Sequence, residues 1–226
     1  MDQDKLNSIS SLTSKLLRKN FGKGPKSCQS TICKQHLVIY VQGFISPMEE
    51  VLIQQGQQKQ VEKARAVIIE HVLEELKGII KVSLDREVEE SYHDWNFPNN
   101  SGLIFFVLNE EIDQSCDDNG IYLKKLENEI ARISELVQKV PNSIRVFPLS
   151  QSIYLVEREG ILIPIEKALI AKGFAEELRI TKDELEKSYF HRYGNFDEIF
   201  KNSIKDIFID WNFKKDKSLM AFVFNT

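Results

Sequence analysis

The run Phe21-Gly22-Lys23-Gly24-Pro25-Lys26-Ser27 places two glycines and two lysines within seven residues. Glycine lets backbone N–H groups approach a ligand closely and lysine supplies charge. Gly22, Lys23, Gly24, Lys26 and Ser27 therefore form a candidate cradle for a small anion or a nucleotide. Lys15, Arg18 and Lys19 lie just upstream and add positive charge. The same residues also suit an ordinary helix end, where glycine stops the helix and cations complement its dipole. The run lacks the GxxxxGK[ST] pattern and precedes a strand, so it is not a Walker loop.

Cys28, Cys33 and His36 invite a metal reading, but their spacing is not that of a zinc site and a fourth ligand would have to come from His71, His93 or elsewhere. Buried thiols acting as small apolar groups explain the cysteines, and neither metal nor cofactor is expected. The most distinctive chemistry is Asp94-Trp95-Asn96-Phe97, which recurs as Asp210-Trp211-Asn212-Phe213. Asp and Asn at a strand end build turns. Trp95, Phe97, Trp211 and Phe213, if exposed, are candidate interaction anchors. His93 beside Asp94 resembles an acid–base pair, but its counterpart is Ile209 and adjacent strand residues face opposite ways. No nucleophile elbow, HExxH helix, dinucleotide fingerprint or kinase set is present, so no catalytic residue is assigned and an enzyme is not expected.

The recurrence extends well beyond four residues. Aligning Asp94 onward with Asp210 onward at an offset of 116 gives eight identities in sixteen positions. Upstream, Gly43, Pro47, Glu49, Leu52, Ile53 and Gly56 face Gly160, Pro164, Glu166, Leu169, Ile170 and Gly173 at an offset of 117. The chain thus reads as a tandem duplication of a small domain rather than a solenoid. Residues 1–110 form the first repeat and 121–226 a divergent second, with an acidic, turn-rich linker at 111–120. That linker starts like a calcium loop, but Asp118 and Lys124 occupy the positions that need Gly and Glu.

Within each repeat the periodicities predict an order αββααββ. Leu6, Ile9, Leu12, Leu16 and Leu17 share one helix face, and Leu123, Leu126, Ile130, Ile133 and Val137 repeat that stripe. A hairpin is predicted across residues 28–43 with its turn at Lys34-Gln35. Ser46-Pro47-Met48-Glu49 reads as a capping box that makes Glu49, and by match Glu166, a helix-start residue. Val61, Ala64, Ile68, Val72, Leu76 and Ile79 or Ile80 predict a long helix after Gly56. In the second repeat a further box is predicted at Thr181 to Glu184. Strands at 89–94 and 103–108, and at 205–210 and 219–224, close the two repeats. Hairpins beside helices imply an α+β class, with antiparallel sheets carrying helices on one face. If the ancestral unit paired about a two-fold axis, the halves should form a pseudo-dimer within the chain.

Composition excludes whole function classes. With 226 residues, 42% apolar and 28% charged, the chain is globular rather than disordered. Thirty basic against 34 acidic residues leave a net charge of −4, so no general attraction to nucleic acid is expected. Three cysteines make no disulfide framework and read as reduced thiols of a cytoplasmic protein. The first residues do not resemble a secretory signal, and no apolar run approaches a membrane span, so membrane insertion is not expected.

Taken as an ordered set, Phe21-Gly22-Lys23-Gly24-Pro25, the strand ending in Gly43, the helix opened by Pro47 and Glu49, and Asp94-Trp95-Asn96 before residues 103–108 resemble the MpsC-like family. That bacterial family is named for the third component of a sodium-translocating, membrane-potential-generating system. The resemblance covers the first half and, through the duplication, the second, where Gln138-Lys139-Val140-Pro141 keeps the proline and loses both glycines. It implies a non-enzymatic cytosolic accessory or interaction module, associated with a membrane complex for ion or inorganic-carbon transport. The alternative is a small-anion or nucleotide sensor using residues 22–27.

Overall fold

A computed structural model describes residues 3–112 and 123–224. The chain divides into two compact units, Met1–Ser115 and Cys116–Thr226. Most of the acidic linker, with Cys116, lies outside the described residues.

In the first unit α1 (Gln3–Phe21) buries Leu6, Ile9, Thr13 and Leu17, and carries Asp4 in its first turn and Arg18 and Lys19 in its last, each complementing the helix dipole. Thr13 is tolerated inside because its hydroxyl donates to the Ile9 carbonyl at 2.8 Å. The strands β1 (Ser27–Cys33) and β2 (His36–Gln42) turn over through Lys34, at φ 53°. The helix α2 (Pro47–Gln54) opens as predicted: the Glu49 amide donates to Ser46 Oγ, and the Ser46 amide donates to Glu49 Oε2 at 2.7 Å. After Gly56 comes α3 (Gln58–Leu84), then β3 (Val88–Asn96) and β4 (Ser101–Leu108). The sheet is antiparallel in the order β1-β2-β4-β3. Ile39, Val41, Ile104 and Phe106 of its central strands share one core with Ile9 and Leu17 of α1 and Ile69, Val72 and Leu76 of α3.

The second unit repeats the plan with α4 (Leu123–Val137), β5 (Ser143–Ser150), β6 (Ile153–Glu159), α5 (Pro164–Ala171), α6 (Ala175–Tyr193), α7 (Phe196–Phe200), β7 (Ile204–Asn212) and β8 (Lys217–Phe224). Its sheet order is β5-β6-β8-β7. Two expectations need correction. Thr181 does not cap a helix: it lies inside α6, and its hydroxyl donates to the Glu177 carbonyl at 2.8 Å. The order also gains α7, whose Phe196 and Phe200 are buried in the core. Gly194 ends α6, and a Cβ there would lie 2.0 Å from the Phe196 ring, so glycine is what lets α7 fold back.

Candidate functional site

Each unit hides an ion pair at the corner between its short helix and the following long helix. Glu49 is buried by its place at the start of α2, and its Oε1 accepts from Arg65 Nη1 at 2.9 Å. The Arg65 side chain is only 2% exposed. Its guanidinium carbon lies 4.1 Å from the Phe21 ring centre, 4.3 Å from Phe44 and 4.7 Å from Trp95. Planar arginine suits such an aromatic box, where stacking and cation–π attraction add to the ion pair. Each ring contributes about 0.5–2 kcal/mol, while burying the charge costs several, so Glu49 is needed to tip the balance. Burial pulls the Arg65 pKa down to about 10, against the opposing pull of Glu49.

The second unit keeps the plan and changes the chemistry. Glu166 again opens its helix, accepting from the Ile163 amide at 3.0 Å, although isoleucine offers no side-chain oxygen to complete a box. Sixteen residues on, as in the first unit, stands the cation: Lys182 Nζ lies 3.0 Å from Glu166 Oε1, 3.1 Å from Glu186 Oε1 and 3.0 Å from Gln138 Oε1. A lysine needs several acceptors rather than flat rings, and here it has three. Glu186 also accepts from Arg158 Nη2 at 2.6 Å and from Trp211 Nε1 at 3.2 Å, and Arg158 Nε donates to Ser218 Oγ at 2.9 Å. Burial alone would raise the Glu186 carboxyl, but Arg158 and Lys182 outweigh it and hold the pKa below the ordinary value.

The matched positions show why the two sites differ. Arg158, Glu186 and Ser218 correspond to Val41, Ile69 and Gly102. Val41 and Arg158 pair across the sheet with Gly102 and Ser218, which in turn face Trp95 and Trp211. In the first unit the Trp95 indole occupies the space beside Gly102, where a Cβ would come within 2.2 Å of it. One set is apolar and the other is a closed polar network, so the three positions change together.

The residues singled out from the sequence lie around the same corner. Lys23 Nζ donates to the Ile45 carbonyl at 2.9 Å, Ser27 Oγ donates to Gln42 Oε1 at 2.9 Å, and the Lys26 stem packs over Gly43. Gly22 ends α1 at φ 74°, and Gly24 lies beside the Arg18 side chain. The polar groups of Lys23 and Ser27 are thus engaged with the chain's own acceptors. In the repeated tetrapeptide, Asp94 and Asp210 accept from the following Trp amides at 2.7 Å, and Asn96 and Asn212 accept from amides three residues on at 3.2 Å. These are turn-forming bonds. Phe97 and Trp211 are buried, and Trp95 and Phe213 half-buried. Beyond the turn, Asn100 Oδ1 accepts from the Ile45 amide at 2.9 Å, and Asp216 Oδ1 from the Leu162 amide at 2.7 Å, so the same latch closes both corners.

Arg65, Arg158, Lys182 and Glu186 were missed by the sequence reading. The signal available was an acid and a base sixteen residues apart in both repeats. Among the described residues no group of three or more His, Cys, Asp or Glu side chains could hold a metal ion. His93 Nε2 lies 3.9 Å from Glu70, and His71 Nε2 3.0 Å from Glu75. Of the thiols expected to be reduced, Cys28 is free, with its pKa pushed up to about 12 by burial, whereas Cys33 is disulfide-bonded. The cysteine argument for a reducing compartment therefore does not hold as stated.

Comparison with known proteins gives one finding. The family model described as Na+-translocating membrane potential-generating system (MpsC) matches residues 2–110 and again residues 120–226. No curated protein and no solved structure matches the chain.

Proposed function

Starting from a chain that belongs to the MpsC family in both of its halves, we propose that it is a non-enzymatic accessory protein serving a membrane-potential-generating, sodium-translocating complex from the cytosolic side. The observation that carries this reading is the double family match. The description of that family names the system, and the match spans nearly all of each repeat. Two buried cations add support. Arg65 and Lys182 are each held by a buried carboxylate that also fixes a helix start, so their chemistry is spent on fixing a corner of the fold. In this reading ion passage belongs to membrane-embedded partners. Among the described residues no helix is long and apolar enough to cross a membrane.

The test is physiological and biochemical together. Cells lacking the chain should generate a smaller sodium-dependent potential, read with a voltage-sensitive dye, and re-expression should restore it. Tagged protein should co-purify with integral membrane subunits. An unchanged potential together with no membrane partner at any detergent strength refutes the reading.

A further inference from the structure

The end of α1 and the loop after it carry more positive charge than the corner needs. Lys15, Arg18 and Lys19 occupy one flank of the helix, Lys23 and Lys26 follow in the loop, and all but Lys23 are exposed. A Cβ at Gly24 would lie 3.0 Å from Arg18 Nε, so the loop folds back beside that flank and the cations form one patch. Among the described residues Lys19 alone of the five pairs with an acid, Glu75 at 3.4 Å. Lys23 donates to a carbonyl, which leaves its charge unbalanced.

The fold does not require this patch, because the second unit does without it. Ile9, Thr13 and Leu17 of α1 match Leu126, Ile130 and Ser134 of α4 in burial, which sets Glu135 and Leu136 where Arg18 and Lys19 stand. The last turn of α4 holds no basic residue. Arg132, the counterpart of Lys15, is held by Glu129 at 2.7 Å. Lys26 packs over Gly43, and Asn142 takes the same place over Gly160. Long, flexible cations on the convex flank of a helix respond to charge density rather than to shape. The one aromatic ring in the run, Phe21, is turned to Arg65 and offers no stacking platform to a nucleic-acid base. A molecule of net charge −4 with a single basic patch is oriented by an anionic plane, patch inward and the remaining charge held away. We propose that this patch docks the first unit on anionic lipid headgroups, with phosphodiester groups opposite Lys15, Arg18 and Lys26. The inference rests on the reading of the chain as an accessory to a membrane complex.

Co-sedimentation of the full chain with mixed phosphatidylglycerol and phosphatidylcholine vesicles tests this. The chain should bind these and not pure phosphatidylcholine, and binding should fall steeply between about 0.05 and about 0.5 M salt as screening shortens the reach of the charges. Each cation near such a surface is worth about fivefold in affinity, so Lys26→Gln should weaken binding about fivefold and Lys15→Glu with Arg18→Glu at least about twentyfold. Lys15→Arg with Lys26→Arg keeps the charge and should preserve binding. Circular dichroism and melting of each variant should match the parent, because these side chains are exposed. No binding to the anionic vesicles overturns the proposal, as does equal binding to phosphatidylcholine or a charge-reversed variant that binds like the parent. Displacement by millimolar inorganic phosphate would mark a discrete anion site, and retention on immobilised polyglutamate without vesicle binding an acidic protein segment; either overturns it. A chain that ignores vesicles yet co-purifies with membrane subunits removes this contact alone. One that binds vesicles while the sodium-dependent potential is indifferent to its loss removes only the accessory role.

Discussion

Replacing Arg65 by methionine keeps the volume and removes the charge. Glu49 would keep its bond from the Ser46 amide but lose the guanidinium at 2.9 Å, leaving a carboxylate in a corner lined by Phe21, Phe44 and Trp95. Stripping one partner from a buried pair costs about 3–5 kcal/mol. For a unit the size of Met1–Ser115, that lowers the melting temperature by roughly 15 °C. Adding Glu49→Gln should return about 2 kcal/mol, because the neutral amide can still accept from the Ser46 amide and no unpaired charge remains. Scanning calorimetry and denaturant titration, followed by the fluorescence of Trp95 against the guanidinium, give both numbers. Should Arg65→Met shift stability by under about 0.5 kcal/mol, or the double variant be no more stable than the single, the pair is not what holds this corner.

Glu186→Ile should cost about 3–5 kcal/mol by stranding the Arg158 guanidinium, while Lys182 keeps Glu166 and Gln138, and Glu186→Ile with Arg158→Val should recover part of it; calorimetry showing simple additivity would count against the network. Gly102→Ala should destabilise by more than about 2 kcal/mol, because the new Cβ would meet the Trp95 ring at 2.2 Å; a melt within about 0.5 kcal/mol of the parent disproves that packing. Partial desolvation of an otherwise exposed ring, helped by Lys187 and opposed by Asp206, lowers the His191 pKa, so its small stabilising effect is present above the ordinary value and is lost as pH falls through the folded one; His191→Gln should flatten that limb of the stability curve, and an unchanged curve refutes the assignment. Phosphate or bicarbonate should leave the melting temperature unchanged, since Lys23 and Ser27 already serve internal acceptors; a rise abolished by Lys23→Ala restores the sensor reading.

Elements whose start and stop rest on local chemistry were legible. Ser46, Pro47 and Glu49 announced α2, Lys34 and Gln35 the first hairpin, and the matched Asp-Trp-Asn-Phe segments the last one of each half. What escaped were the charged residues on buried faces. In α3 Val61, Val72, Leu76 and Ile80 of the expected stripe are buried, but at Ala64 and Ile68 the buried positions lie one residue on, at Arg65 and Ile69, because a periodicity built on apolar types passes over an arginine. In α6 the buried face reads Lys182, Glu186 and Phe190, nearly polar throughout, so no apolar period marked it and the Thr181 pattern took its place. A Thr-x-x-Glu pattern caps a helix only where the preceding backbone is non-helical, which the pattern alone does not encode. The disulfide at Cys33 was also unreadable, because pairing depends on which chain segments meet.

Val41, Ile69 and Gly102 against Arg158, Glu186 and Ser218 have a bearing on how such a gene can change. Two similar stretches in one reading frame invite exchange of sequence between them. A crossover landing between codons 158 and 186 would separate Arg158 from Glu186 and produce a hybrid in which a guanidinium is sealed inside without its carboxylate, or the carboxylate without its guanidinium. Such a hybrid would carry the cost of a buried charge without its partner, about 3–5 kcal/mol. Each set is therefore complete only as a whole, and piecemeal exchange between the two copies would carry that cost wherever it separated Arg158 from Glu186.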